Sequence, residues 1–550
     1  MKSSLKISSI LLLAVLSLGL CSCIEKNNQL GGSFIPSNQQ YTIHVAEIPI
    51  EDIELQMADS LSGFSTSRMT FGSLRDETFG LTTRSCAFAL IPIVDSIDFG
   101  RDPQFQFFFF TANPDTISFV NEDQSDIYQS VNVYELSEKI DFLDCNMDAQ
   151  LKHGDKRITQ NVPLYNGSDG LNFYFSKEFG EKYMTMTQED IEDYDRFVEK
   201  FPGIYITTDE PLGEGGRINM FEAQLGHTSS DEYITGNYAQ LNFSAYFDNA
   251  TERKDTSILF YFGADNFYDV DSLYQYSGKG NYTQYIANLS THESKKYVGK
   301  AEERLYVEGA SGIKPVIPAE ELREMVLGEI SKYGDPGKTI INKATLVFPF
   351  KFPDDYDEMI SYPQYLNPQT LIPFYYMDKE GTLMHKKQFE ALADASSEYE
   401  NQGEIDRANS KYCPDITFHT QSLLRMKDDA DPHDYDVWLM IQAKEYITTT
   451  SGSNAEMSEF YKQMMYSAYY NSMYGGYSNY NTYGTYGYNN DYEYMLMAAM
   501  YQNMATSRTT TTMKVESDFH RFYNPYIYGP AAEDESLRPK LVLVFSVPND

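Results

Sequence analysis

Tryptophan is almost missing from this chain, with Trp438 the single example among 550 residues. Sugar-binding platforms favour that side chain, and Trp438 sits in an alternating apolar stretch, which predicts a core role instead. Basic residues are also scarce: 43 Lys and Arg stand against 80 Asp and Glu, a formal net charge of −37. That balance excludes the phosphate grip of nucleic-acid binders and a polybasic hold on anionic lipid headgroups. Beyond the amino terminus no run is long and apolar enough to cross a membrane as a helix. There is no Cys-x-x-Cys pair, no His-Glu-x-x-His, no Gly-x-Ser-x-Gly elbow and no phosphate-loop pattern, so the sequence shows no zinc site, zincin, esterase or nucleotide signature and implies no cofactor. Cys86, Cys145 and Cys413 are far apart and read mostly as buried thiols, although an oxidising compartment allows one disulfide.

What is present begins with an address. Lys2 and Lys6 lead into the apolar run Ile10–Leu20, followed by Cys21-Ser22-Cys23. A basic start and a short apolar segment make a secretory signal, here residues 1–22. The small Ser22 before Cys23 makes Cys23 the expected lipid-bearing first residue of the mature protein. Cys21 is the weaker candidate because Leu20 before it is bulky. With an acidic chain behind it, membrane attachment rests on the lipid, each buried methylene contributing about 0.8 kcal/mol. Residues 23–40 are rich in Asn, Gln, Gly and Ser and read as a flexible tether.

From Tyr41 onward β signals dominate. Short apolar or alternating runs at 41–45, 48–50, 86–94, 105–110, 130–134, 203–208, 238–247 and 257–262 are mostly bounded by Asn, Asp, Gly or Pro. Further strands are expected at 339–350, 435–448, 509–516 and 540–547. The fold class is therefore mainly β: one or two β-sandwich-like domains with a few short helices. The expected division is 41–310 and 311–550. Helices are expected at 190–200, behind a capping box at Thr187–Asp190, at 318–332, and more weakly at 384–399. The middle of the Tyr-, Met-, Asn- and Gly-rich stretch 456–504 lacks Leu, Val and Ile, and its flanks near 459–470 and 492–504 allow helices. It is expected to be a disordered insertion, either an expanded surface loop, the favoured reading, or a contact surface.

Gly-rich stretches at Asn166–Gly170 and Gly213–Gly216 read as turns. His433-Asp434-Tyr435-Asp436, with Asp428, Asp429 and Asp431 before it, is the densest polar cluster. It lacks the ligand order and glycine of a calcium loop and reads as a solvated acidic loop.

Phe71-Gly72-Ser73-Leu74-Arg75-Asp76-Glu77-Thr78-Phe79-Gly80, after Asn28–Pro36, resembles the opening of domain-of-unknown-function family 4270 (DUF4270), lipoproteins of Bacteroidota. Val133–Leu136, Leu305-Tyr306-Val307-Glu308-Gly309, Ile340–Leu346 and Pro539–Leu543 resemble later parts of that pattern, whereas the Tyr-rich insertion departs from it. The resemblance spans about Asn28 to Phe545 and implies a secreted, lipid-anchored, β-rich protein. It carries over no catalytic or ligand residue.

Lipoproteins of this group reach the outer face when acidic residues closely follow the lipid cysteine. Here Glu25 is followed at once by Lys26, so the expected location is the outer membrane, with surface exposure slightly favoured. Asp-Ser/Thr-apolar triplets serve as O-glycan acceptors in the same group, making Ser60, Ser96, Thr116 and Ser272 candidate modification sites, a small excess over chance. The expected function is a non-enzymatic binding or scaffold component of an envelope protein assembly, held to the membrane by its lipid. The alternative is a glycan-binding or glycan-processing accessory, and a hydrolase would require a pocket with convergent His and carboxylates.

Overall fold

The computed structural model describes residues 40–549 apart from 66–67, 95, 120–126, 142–144, 223–224, 228–233, 249, 263–285, 355–361, 378–382, 397–400, 428, 450–509 and 518–526. The expected signal 1–22, Cys23 and all of the tether but Gln40, Ser272 and the Tyr-rich insertion lie outside the described residues.

The chain is mainly β and built from several antiparallel sheets. Two lobes follow from which strands pair and which side chains they bury. In the first, here called the frame, strand Tyr41–Pro49 pairs along its full length with Lys540–Pro548, which in turn pairs with Ile340–Pro349. A second frame sheet carries Glu54–Met57, Ile313–Ile317, Val437–Thr449, Tyr365–Met377 and Leu383–Ala391. Leu346, Leu541, Leu543 and Phe545 from one sheet meet Leu55, Ile317, Leu366 and Leu439 from the other in a common core. That is the sandwich solution for two half-apolar sheets.

The second lobe, the insert, runs from about Phe64 to His292. One of its sheets holds Gln129–Leu136, Ile204–Thr208, Gly80–Phe88, Arg68–Asp76 and Gly215–Glu222; the other holds Leu171–Tyr174, Arg101–Ala112, Tyr238–Tyr246 and Lys254–Tyr261. Phe88 and Phe110 face each other across the gap with centroids 6.2 Å apart, and Phe108 packs on Phe175, Tyr183 and Phe260 at 4.7–5.3 Å. Helix Lys177–Tyr183 closes one end of this core, capped by Ser176, whose hydroxyl accepts from the Phe179 amide at 3.3 Å.

The lobes do not follow the expected division at 310. Tyr41–Pro49 and Glu54–Met57 pair with strands from the carboxyl-terminal part of the chain, so the insert interrupts the frame. A third cluster of Ala58, Leu61, Met147, Val316, Trp438 and Met440 joins the two, and Trp438, 7% exposed, takes the core role expected of it.

Three helix expectations resolve differently. The capping box at Thr187 and Asp190 forms, but the helix behind it breaks at Asp193, which is extended and caps a second short helix, Tyr194–Lys200. Ala319–Ile330 forms with Leu322, Val326 and Ile330 buried. Within 384–399 the expected helix is replaced by a strand: Leu383–Ala391 is in register with Tyr365–Met377 over nine residue pairs, followed by a short 3-10 turn at Ala393–Ala395. A long cross-strand ladder here overrides a weak local helical preference.

Candidate functional site: a buried polar junction

The most unusual group of side chains lies where the insert meets the frame. Strand Gly80–Phe88 buries Cys86 and Phe88 in the insert core and, on the same two-residue period, places Thr82 and Arg84 toward the frame. Thr82 stands directly opposite His292 across the ladder. Both reach Glu308, which the frame contributes from a tight turn closed by Glu308 N donating to Ile313 O at 3.0 Å and Gly312 N to Gly309 O at 3.1 Å. Thr82 Oγ1 donates to Glu308 Oε1 at 2.6 Å, His292 Nδ1 meets the same oxygen at 2.7 Å, and Ser294 Oγ donates to Oε2. Lys314 Nζ donates to the main-chain carbonyls of Glu308, Ala310 (3.0 Å) and Gly312 (3.0 Å). The Glu308 and His292 side chains are each 1% exposed.

Electrostatics follows from this geometry. Burial opposes ionisation of Glu308, but the attraction of the His292 ring when it is protonated and the bonds from His292, Ser294 and Thr82 outweigh burial and hold the carboxyl down at about 2. Burial lowers the His292 imidazole below its ordinary value, against the pull of Glu308. Nδ1 carries the proton toward Glu308, and Nε2 is buried with no hydrogen-bond partner among the described residues, so a second proton there would be an unsatisfied donor. Burial pulls Lys314 down to about 7 while the Glu308 charge opposes it. Three carbonyl acceptors match the three N–H bonds of an ammonium, the form this geometry favours.

Serine, histidine and glutamate are the residue types of an acyl-transfer triad, yet the connectivity differs. In a triad the hydroxyl bonds the imidazole. Here Ser294 bonds the carboxylate directly, and the imidazole bonds the other oxygen of the same group. The chemistry this arrangement supports is fastening: two insert side chains, and Ser294 on the turn leaving the insert, converge on one frame carboxylate. Ser290 and Ser311 add a further contact across the same boundary, Oγ to Oγ at 2.6 Å.

The sign of the pH dependence is fixed by these shifts. In the unfolded chain His292 takes up a proton near 6.5 and Glu308 near 4.5, the folded groups only at lower pH. The unfolded state therefore binds protons first, and stability falls as pH drops through 6.5 and again from 4.5 toward 2. Urea midpoints measured from pH 8 to pH 5 should fall, and His292→Gln should flatten that slope. An unchanged slope in the variant would refute this assignment.

The other sequence candidates are scattered. Cys23 and Ser272 lie outside the described residues. Ser60 is in a half-buried turn, Ser96 in an exposed loop, and Thr116 on the edge strand Pro114–Phe119. Cys86, Cys145 and Cys413 are all free thiols, the first two buried. In the acidic loop Asp428 lies outside the described residues, and Asp431, Asp434 and Asp436 already have work within the fold. Asp431 accepts from the His433 amide, Asp434 pairs with Lys387 at 3.2 Å, and Asp436 accepts from Ala319 N at 2.8 Å and from His433 Nδ1 at 3.0 Å. Asp436 thereby caps the helix behind Pro318, which has no side-chain acceptor of its own. Among the described residues no group of three His, Cys, Asp or Glu is arranged to hold a metal ion. Asn166–Gly170 is a turn, with Asn166 Oδ1 accepting from the Ser168 and Asp169 amides.

An open cleft of about 670 Å³ lies beside the frame's first strand, lined by Glu47, Ile50, Lys300, Pro530, Arg538 and Lys540. Its charges pair among neighbours: Lys540 with Glu47 at 2.6 Å, Arg538 with Glu535 at 3.5 Å, and Lys300 with Asp52.

Sequence reasoning missed the junction. Glu308 stood inside the phrase Leu305–Gly309, which was read only as a resemblance. The available signal was Lys314, a lysine within the apolar strand Ile313–Ile317. No family model matches the chain, and no curated protein or solved structure matches it.

Proposed function

We propose that this protein is a lipid-anchored outer-membrane component without catalysis of its own, which binds other envelope proteins as a scaffold. One observation carries the reading. Among the described residues, strand Tyr41–Pro49 pairs on one side, with Lys540–Pro548, and ends its sheet. Tyr41, Ile43 and Val45 are 49%, 66% and 68% exposed. No acidic or Lys/Arg side chain stands between Tyr41 and Ala46. Free edges are ordinarily blunted by charge, and other edges of this protein are: His153–Arg157 carries Asp155, Lys156 and Arg157, and Leu383–Ala391 carries Lys386, Lys387 and Glu390. Glu47 and Pro49 blunt only the far end of this strand, and the uncharged stretch Tyr41–Ala46 is suited to a partner that adds a strand. It also begins where the tether ends, and 18 tether residues reach at most about 60 Å, which keeps the edge close to other membrane-held proteins.

Two measurements test the proposal. Cys23→Ser should release the protein from the membrane fraction, whereas Cys21→Ser should not; retention of the Cys23 variant removes the anchor from the reading. A photo-crosslinker at Ile43 should capture a discrete envelope protein that a crosslinker at the exposed Leu212 does not, and Val45→Lys should abolish the capture. Identical products at both positions would sink the scaffold assignment. A second reading, glycan binding, is supported by a separate observation on the insert.

A further inference from the structure

The insert sheet containing Arg101–Ala112 presents a face that the core does not use. Alternation along that strand sends Phe108 and Phe110 inward, fully buried, and leaves Phe107 41% exposed and Phe109 half-buried on the outside. Tyr174, 47% exposed, lies opposite Phe109 on the neighbouring strand. Its ring meets Phe107 edge-on, with centroids 5.8 Å apart at 80°, and Phe109 at 5.2 Å and 51°. On the other side, Gln240 stands opposite Phe109 and Asn242 opposite Phe107. These two amides bond each other at 3.2 Å and remain half-buried, and the exposed Asn172 lies two residues before Tyr174. Ser257, opposite Asn242, completes the block.

Three aromatic rings, three amides and a hydroxyl thus share one sheet face, without a charged side chain among them, on a chain of net charge −37. We propose that this face is a binding site for an uncharged polysaccharide chain; the proposal rests on the glycan-binding reading and gives it a place and a ligand class. An aromatic face carries a negative quadrupole that attracts the partly positive C–H face of a sugar ring. Amides supply both donors and acceptors, as hydroxyl groups require. Charge decides against the other occupants. The field of the acidic chain repels polyanions, and the carboxylate that flanks the block, Asp255, is already engaged by Gln106 Nε2 at 2.6 Å rather than offered to a cationic peptide. The corner between Phe107 and Tyr174 seats one ring against two aromatic surfaces, and the four long strands span about 14 Å between outer axes, room for a chain of several sugar rings. The rings' exposure makes them a binding feature separable from the fold, because Phe108 and Phe110 carry the packing on the opposite face.

The test uses the full-length lipidated protein in detergent, run by affinity electrophoresis through gels containing hydroxyethyl cellulose, mannan or xylan-type neutral polymer, with dextran sulfate as the anionic control. Retardation is expected in at least one neutral gel and not with dextran sulfate. The variant Phe107→Ala/Tyr174→Ala should weaken it about tenfold or more, the scale of losing a well-seated aromatic anchor, at unchanged thermal stability. Retardation that survives the double variant would overturn this site while leaving glycan binding elsewhere intact. No retardation in any neutral gel would overturn both. A wild-type sedimentation coefficient that falls to the monomer value in the double variant would assign the face to a second copy of the chain and overturn the proposal.

Discussion

Glu308→Ala is expected to cost about 3–5 kcal/mol, the range for removing one partner from a buried ionic group, and to split the unfolding of frame and insert into two transitions. The carboxylate accepts from Thr82 and His292 on the insert and from Ser294 on the turn that leads out of it, while its own backbone belongs to the frame. Alanine leaves two hydroxyls and an imidazole facing a void. It also removes the negative charge that supports the buried Lys314 ammonium. Glu308→Gln discriminates between shape and charge. The amide preserves volume and one acceptor oxygen but turns two N–H donors toward groups that already donate, so a loss close to that of alanine is expected. Calorimetry reads both the total stability and the number of transitions. A single transition at the wild-type temperature in Glu308→Ala would mean that the junction contributes little and that the apolar contacts around Trp438 join the lobes without it.

Strands were legible because their signal is local. The alternation in 130–134 and 540–547 reports a half-buried ladder whatever the partner, and both became strands, Gln129–Leu136 and Lys540–Pro548. Partnership itself left no trace. Tyr41 meets Pro548 across the whole length of the chain, and nothing near either residue encodes the other, so the insert was divided from the frame in the wrong place. The run 105–110 announced a strand, yet the four consecutive phenylalanines 107–110 concealed that alternate rings face opposite ways. Leu383–Ala391 was misread because Lys386, Lys387 and Glu390 favour helices in isolation, and only the ladder to Tyr365–Met377 decides the matter. The junction was least visible. Ser, Thr, His and Glu are ordinary surface residues in composition, and their burial is a property of two lobes closing on them.

The insert contains another buried cation, away from the junction, and its removal should act on that lobe alone. Arg217 is wholly buried; its Nε donates to Asn219 Oδ1 at 2.8 Å, Nη2 to Tyr165 O at 2.6 Å and Nη1 to Ile127 O, with the guanidinium 5.7 Å from the Tyr165 ring. Asn219 Nδ2 continues to Gln129 Oε1 at 2.7 Å, and Gln129 Nε2 returns to Arg217 O at 3.1 Å, so the network closes on itself. Gly72, at φ +147, lies against the Arg217 carbonyl where a β-carbon would collide. Arg217→Met keeps most of the volume but leaves two carbonyls and an amide oxygen without their donor, for an expected loss of about 3–5 kcal/mol. Arg217→Lys should recover little, because one ammonium cannot reproduce a planar fork directed at three separate acceptors. Hydrogen exchange should accelerate along Gln129–Leu136 and Gly215–Glu222 and stay unchanged along Lys540–Pro548. The contrast with Glu308 is mechanistic: an arginine internal to the insert lowers that lobe's own stability, whereas the junction carboxylate governs whether the lobes unfold together. If Arg217→Met instead accelerates exchange equally in both lobes, the coupling between them is tighter than the junction chemistry accounts for, and the frame depends on the insert for its own stability.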